Sequence, residues 1–406
     1  MEEARSGKRS AIFDLLHQPF SILHLEPTAT ADQISEAFED ACADRLAPES
    51  ELVAAREAIV NPRLRLAAEL AWLLDTPPGE AKAVFAALRN EASLFDLRRV
   101  ADRLPALSKA NLLAHIAAHE PADADLLVSL VDAHASINAA TLQPAIEGIR
   151  KASGNVNSSL DALRVALHEL ADRHSKAAFG GFAAIRNAAG AMQACTTRVL
   201  ERPSQDRIEA LDGVVRAYRQ SIGPELMRCE ERVKAAIATL RAQPQAIGPV
   251  TAIGEAVREW AEMGRPLIAL EAYKGRDDER ARELFYSVRG LAIDIANEHK
   301  SFDLALSLSQ IALGAFRDMP RAAGQLHEDI PFIVEQLADA ALQPLRKLIA
   351  SLDNDFIRLA LAKDLIAFDF GERSVNETKE IFELFLVAIT KTRGSKFNDI
   401  PSLLSG

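Results

Sequence analysis

Cysteine, aromatic residues and long apolar runs are all scarce in this chain of 406 residues. Three cysteines, Cys42, Cys195 and Cys229, are too few and too scattered for a disulfide framework or a cysteine zinc site. Aromatic residues make up 5%, and 19 glycines with 18 prolines supply few turns for so long a chain. An all-β architecture, which needs turns, rings and β-branched residues, is therefore not expected. The longest purely apolar run, Ala177 to Ile185, has nine residues, against the roughly 18 that a membrane-spanning helix needs. The opening Met1-Glu2-Glu3-Ala4-Arg5 lacks the apolar stretch of a secretory signal, so a cytoplasmic location is the expectation. A Gly-x-x-x-x-Gly-Lys-Ser/Thr phosphate loop is missing too, which removes P-loop nucleotide hydrolysis. Positive charge is in deficit: 47 Lys and Arg stand against 58 Asp and Glu, a net of −11. That balance disfavours nucleic acid and anionic membrane as partners.

What is present is the vocabulary of helices. Apolar residues reach 49% and charged residues 26%, with Ala, Leu, Glu and Arg prominent, so an all-α fold of several packed segments is expected. Residues 1–78 stand apart. The first 75 hold 14 acidic and 7 basic residues, a net of −7. Thr30-Ala31-Asp32-Gln33 spells a capping box, and Ile34, Ala37, Phe38, Ala41, Cys42 and Leu46 follow as one apolar stripe. Pro48 should end that helix. Leu52, Ala55 and Ile59 form the face of the next, and Asn61-Pro62 caps and opens a third with Leu66, Leu70 and Leu73.

Residues 79–154 read as short helices, for example Leu107 to Ala118 and Asp123 to His134. Residues 155–245 read as an antiparallel bundle of longer helices, with a break at Gly223-Pro224 and a hinge at Gln243-Pro244-Gln245 and Gly248-Pro249. In residues 246–406 two segments, Gly264 to Ala269 and Lys300 to Ala305, are each expected to join one helical run to the next, with their alanines 36 residues apart. Ala305 and Ala312 put small residues on one face, where a neighbouring helix can sit close. Leu291 to Leu313 resembles a tetratricopeptide hairpin, while the first copy matches only at Gly264, Ala269 and Tyr273. An apolar helix is expected at Ile381 to Ile389.

Residues 19–75 resemble a J domain, the Hsp70-stimulating module of the DnaJ family. Phe20-Ser21-Ile22-Leu23-His24-Leu25 stands where that family opens with aromatic-x-x-Leu-Gly-Leu. Ala29-Thr30, Ile34 and Ala37-Phe38 fit its second helix, and Ala58-Ile59-Val60-Asn61-Pro62-Arg63-Leu64-Arg65 fits its closing Val-Leu-x-Asp-Pro-x-x-Arg. The resemblance implies a small helical head that meets a protein partner, an Hsp70-type chaperone being the family's own. Two departures change that expectation. The family's His-Pro-Asp tripeptide is replaced by Leu46-Ala47-Pro48-Glu49-Ser50, and the helix from Ala31 to Leu46 carries five acidic residues against Arg45 alone. An acidic docking face would be repelled by this helix, which argues against Hsp70 stimulation in the usual manner.

Motifs that would carry chemistry find simpler explanations at this level. His115 and His119 share a helix face at the spacing of helical metal sites, but no Glu follows His115 and no third ligand stands out. Two polar residues near a helix C-terminus account for them. Asp369-Phe370-Gly371 spells the kinase magnesium motif without its companions, and is a C-cap glycine. Glu259 and Glu262 flank Trp260 as a solvated helix face would place them. Glu-x-x-His, the ligand signature of metal-binding bundles, is absent.

The expectation is therefore a non-enzymatic, co-chaperone-like adaptor with no cofactor and no metal, in which a degenerate J-like head and helical repeats contact a protein partner. The contact residues expected are Glu36, Glu39, Asp40 and Asp44 on the acidic face, Arg63 and Arg65 on the third helix, and Trp260, Tyr273 and Asn297 lining a groove. An accessory subunit of a bacterial multiprotein stress or defence system, and an enzyme with a metal site in the bundle, are the alternatives. Oligomeric state is open.

Overall fold

A computed structural model of the chain describes residues 13–350 apart from 75, 91 and 181–184. Among these residues the fold is all-α, with sixteen α-helices and no strand. No helix of the described residues is long and apolar enough to cross a membrane. The expected helix at Ile381 to Ile389 and the Asp369-Phe370-Gly371 motif lie outside the described residues.

The head opens with a 3-10 turn, Leu15–His17, followed by α1 (Pro19–Ile22), α2 (Ala31–Ala43), α3 (Glu49–Val60) and α4 (Pro62–Leu70). Its boundaries follow from capping chemistry. Thr30 accepts the Gln33 amide at 3.4 Å while Gln33 reaches back to the Thr30 amide at 3.0 Å, completing the capping box. Asn61 accepts from the Arg63 and Leu64 amides at 3.0 and 3.3 Å, and Pro62 takes the first position of α4, where its missing N–H leaves nothing unsatisfied. Phe20, Leu23, Ala29, Ile34, Ala41, Leu52, Ala55, Ile59 and Ala68 pack into one core. Leu46 departs from its expected place on that apolar face and is 48% exposed. The cause is the end of α2, where Leu46 N bonds Ala41 O and Arg45 N bonds Cys42 O. This Schellman closure needs a left-handed residue, and Arg45 at φ 50 supplies it, turning the chain before Leu46.

A buried ion triad ties the head to the helix layer beyond it. Glu69, fully buried at the end of α4, accepts Arg65 Nε at 3.0 Å and Arg150 Nε at 2.9 Å. Arg65 also donates to the carbonyls of Pro27, Ala29 and Ile59. Arg150, on α9 (Ala139–Ala152), donates to those of Val156 and Pro62. Between head and α9 come α5 (Pro78–Arg89), α6 (Leu94–Ala101), α7 (Ala106–His119) and α8 (Ala124–Ala135); α10 (Leu160–Gly180) and α11 (Ile185–Glu201) follow. Helix α7 is central here and packs on α6, α8, α10 and the 3-10 turn.

The remaining helices are long: α12 (Gln205–Ala242), α13 (Ile247–Tyr273), α14 (Glu279–His299), α15 (Phe302–Phe316) and α16 (Pro320–Ala350). Two expected interruptions do not occur. Helix α12 runs through Gly223-Pro224, and α13 runs through Gly264 to Ala269 with Pro266 inside it. An internal proline costs a helix about 3 kcal/mol, but the packing on either side outweighs it. Tyr218, Ile222 and Leu226 around Pro224 are fully buried, and Leu267, Ile268 and Leu270 around Pro266 are 1% exposed. The Gly264 segment is therefore no hairpin joint. At Lys300, with φ 53, the chain does turn from α14 into α15, where Ala305 and Ala312 are fully buried.

Two compact units arise from this chain. One takes in the described residues up to Cys229 together with Glu259–Asp278, and the other Glu230–Arg258 together with the described residues from Glu279 onward. Helices α12 and α13 contribute residues to both.

Candidate functional site

Helix α7 is buried along nearly its whole length, so each polar side chain on it must find a partner. Ser108, Asn111 and His115 recur at helical spacing and stitch the irregular backbone of the head. Ser108 donates to Leu74 O at 2.5 Å, and Asn111 donates to Leu70 O at 2.9 Å and Trp72 O at 2.7 Å. His115 Nδ1 lies 3.3 Å from the Leu15 amide.

At the last of these contacts the fold assembles a cluster. Asp14 caps the 3-10 turn by accepting the Leu16 amide at 2.8 Å on Oδ1. That same oxygen lies 3.1 Å from His115 Nδ1, while Oδ2 lies 3.5 Å from His119 Nε2 and 2.8 Å from His17 Nδ1. One turn along α7, His119 bonds the His115 carbonyl through Nδ1 at 2.8 Å, which holds its Nε2 edge toward Asp14. The His115 and His119 rings stand 4.3 Å apart. Burial alone would raise the Asp14 carboxyl, but hydrogen bonds from His115 and His119, the charge of His115 and the Leu16 amide outweigh it and hold Asp14 well below the usual carboxylate range.

Three donor atoms, one each from Asp14, His115 and His119, lie within 4.8 Å of one another. The expectation that His115 and His119 have no third ligand is thereby corrected, because the partner comes from the distant N-terminal turn. A signal was present in Asp14-Leu15-Leu16-His17, the aspartate counterpart of the Glu-x-x-His pattern. Two imidazoles and a carboxylate form a donor set suited to a borderline transition metal.

A second histidine pair adjoins this region through Phe13. His174 of α10 faces His134 of α8 at 3.2 Å between Nδ1 and Nε2, and Phe13 meets the His174 ring edge-on at 4.3 Å. Burial pushes His134 down to about 4, and burial together with the charges of His134 and Arg173 pushes His174 well below its usual value. Both rings are held neutral at pH 7. Burial, aided by Asp132, raises Cys195 to about 12, which leaves that thiol no activated nucleophile.

The expected contact residues divide. Glu36, Glu39, Asp40 and Asp44 are exposed on α2 and its C-cap, and Arg63 is exposed, 3.5 Å from Glu169. Arg65 and Trp260 are corrected. Arg65 is 2% exposed and bound up in the ion triad, and Trp260 is fully buried against Gly264, so neither offers a surface to a partner. Tyr273 and Asn297 are exposed, but Tyr273 belongs to the first unit and Asn297 to the second. Glu262 is exposed, whereas Glu259 is half-buried with its carboxylate 4.0 Å from Cys229 Sγ. A depression of about 530 Å³ lined by Pro144, Glu147, Gly148, Lys151, Asn155 and Asn157 is polar, unlike the largely apolar pockets that enclose small ligands.

No family model, curated protein or solved structure matches the chain.

Proposed function

We propose that the protein is a non-enzymatic interaction adaptor, co-chaperone-like in design, whose head captures a basic segment of a protein partner. The observation that carries this reading is the charge placement on α2. Its apolar side, Ile34 and Ala41, closes the head core, while Glu36, Glu39, Asp40 and Asp44 stand exposed and form no ion pair among the described residues. Asp40 and Asp44 also sit at the C-terminal end of the helix, whose last turn holds no basic residue. There the helix dipole disfavours negative charge by about 0.3–1 kcal/mol for each group. Charges kept against the local preference fit a face selected for binding, since such departures gather at functional sites. A basic helix or strand of a partner would relieve both the mutual repulsion and the dipole conflict.

An Hsp70-type chaperone is a partner under this reading only through a basic contact face, different from the family's usual pairing. The experiment is affinity measurement between the full chain and a Lys/Arg-rich peptide, with an acidic peptide of equal length as control, at low and high salt. The fourfold variant Glu36→Lys, Glu39→Lys, Asp40→Lys and Asp44→Lys leaves the core untouched and keeps its helical circular dichroism. Wild type is expected to bind the basic peptide with strong salt dependence and the variant to lose it. Equal binding by both chains would remove the head from the mechanism.

A further inference from the structure

We propose that Asp14, His115 and His119 bind one divalent transition-metal ion of the zinc and cobalt class, clasping the N-terminal turn to α7. The donor spacing supports it. Zinc bonds to nitrogen and oxygen of about 2.0–2.1 Å in a tetrahedron place neighbouring donors about 3.3 Å apart. Asp14 Oδ1 to His115 Nδ1 is 3.1 Å and Asp14 Oδ2 to His119 Nε2 is 3.5 Å, so the two oxygens of one carboxylate reach the two rings, and one donor atom from each residue lies within 4.8 Å of the others. The outer contacts are also those of a ligating site: the other nitrogen of His119 bonds a backbone carbonyl, which fixes the ring's tautomer and orientation.

At His115, Nδ1 is approached by the Leu15 amide, a donor, and by the Asp14 carboxylate, an acceptor. One ring nitrogen cannot serve both, and an ion held between Asp14 and His115, in place of a shared proton, leaves the long 3.3 Å amide contact as the one given up. Two of the ligands are largely shielded from water: His115 is 8% and Asp14 15% exposed at the side chain. His119, at 43%, opens the site to solvent, so a water completes the coordination, or His17, whose Nδ1 already lies 2.8 Å from Asp14 Oδ2. Two imidazoles exclude magnesium and calcium as the natural occupants, because those ions prefer all-oxygen shells.

The test uses the untagged full-length chain, stripped with a chelator and titrated with Co²⁺, whose visible absorption reports the coordination. The expected result is saturation at one ion per chain, with Zn²⁺ displacing the cobalt and raising the thermal midpoint. His119→Gln and Asp14→Asn should each weaken binding at least tenfold, whereas His24→Gln, an exposed head histidine outside the cluster, should bind as wild type. Because His119 is half-exposed, its variant remains folded and decides the question even if Asp14→Asn does not fold. Failure to saturate near one ion per chain, or unchanged affinity in His119→Gln, would overturn the proposal.

Discussion

Replacing Glu69 with Gln should be among the most destabilising single changes in the N-terminal unit. The side chain is fully buried and shared by Arg65 at 3.0 Å and Arg150 at 2.9 Å, themselves 2% and 4% exposed. The substitution keeps the shape and removes the only carboxylate in the triad, so two guanidiniums are left buried side by side. Their carbonyl partners remain, which satisfies donors but neutralises no charge. Removing one partner of a buried ion pair costs about 3–5 kcal/mol. With a urea dependence of about 2–3 kcal/mol per M, the midpoint of the N-terminal unit should fall by about 1–2 M. Urea titrations followed by circular dichroism and tryptophan fluorescence measure this directly. Added salt should leave the loss intact, since screening acts on exposed charges. The double variant Glu69→Gln with Arg150→Met should recover part of it, because a lone Arg65 no longer faces a second buried cation. Arg63→Ala is the control: its pair with Glu169 is exposed on both sides, and such pairs contribute little. A Glu69→Gln midpoint within about 0.3 M of wild type, below about 1 kcal/mol, would refute the account of the triad.

The buried histidines predict an acid limb of stability. Above pH 6.5 folded and unfolded chains both hold His134 neutral, but below it the unfolded chain takes up a proton that the folded chain refuses until about pH 4. Stability should therefore fall as pH drops from 6.5 to about 4, by up to about 3 kcal/mol for this group alone. His134→Gln should flatten that limb in urea midpoints measured across the range; an unchanged slope would remove the pair as its cause. Two glycines give opposite signs for one substitution. A Cβ on Gly264 would meet the Trp260 ring at 2.5 Å, whereas one on Gly190, exposed on α11, meets nothing within 4 Å. Gly264→Ala should cost about 1–3 kcal/mol and Gly190→Ala should gain about 0.5–1 kcal/mol, and thermal midpoints shifting in the same direction would contradict the packing described.

Much of this helical architecture was legible because its signals are local. Thr30, Asn61 and Asp123 announce their helices by a side chain and an amide two or three residues away, and such pairs are visible in a sequence. The apolar faces of α3 and α4 follow from spacing in the same way. What failed depends on partners far along the chain. Pro224 and Pro266 look like breaks until the buried residues around them are counted against the cost of one lost hydrogen bond. Arg65 looks like a surface cation until Glu69 and the carbonyls of Pro27 and Ala29 close around it. Trp260 looks like a groove anchor until its own helix places Gly264 beneath the ring. The histidine cluster was half visible, as His115 and His119 one turn apart, and lacked Asp14 because only the tertiary fold brings that turn to α7.

The ion triad also sets an order of events during synthesis. Glu69 and Arg65 leave the ribosome together within α4, but Arg150 follows 81 residues later. Until then the nascent head holds a carboxylate with only one of its two guanidiniums, and the backbone at Leu70 and Trp72 still awaits Asn111. An excised head would therefore lack Arg150 and Asn111, the partners of Glu69 and of the Leu70 and Trp72 carbonyls. The head matures with the helices made after it, and a stalled chain ending before α9 would be the form most exposed to a protease or a holding chaperone.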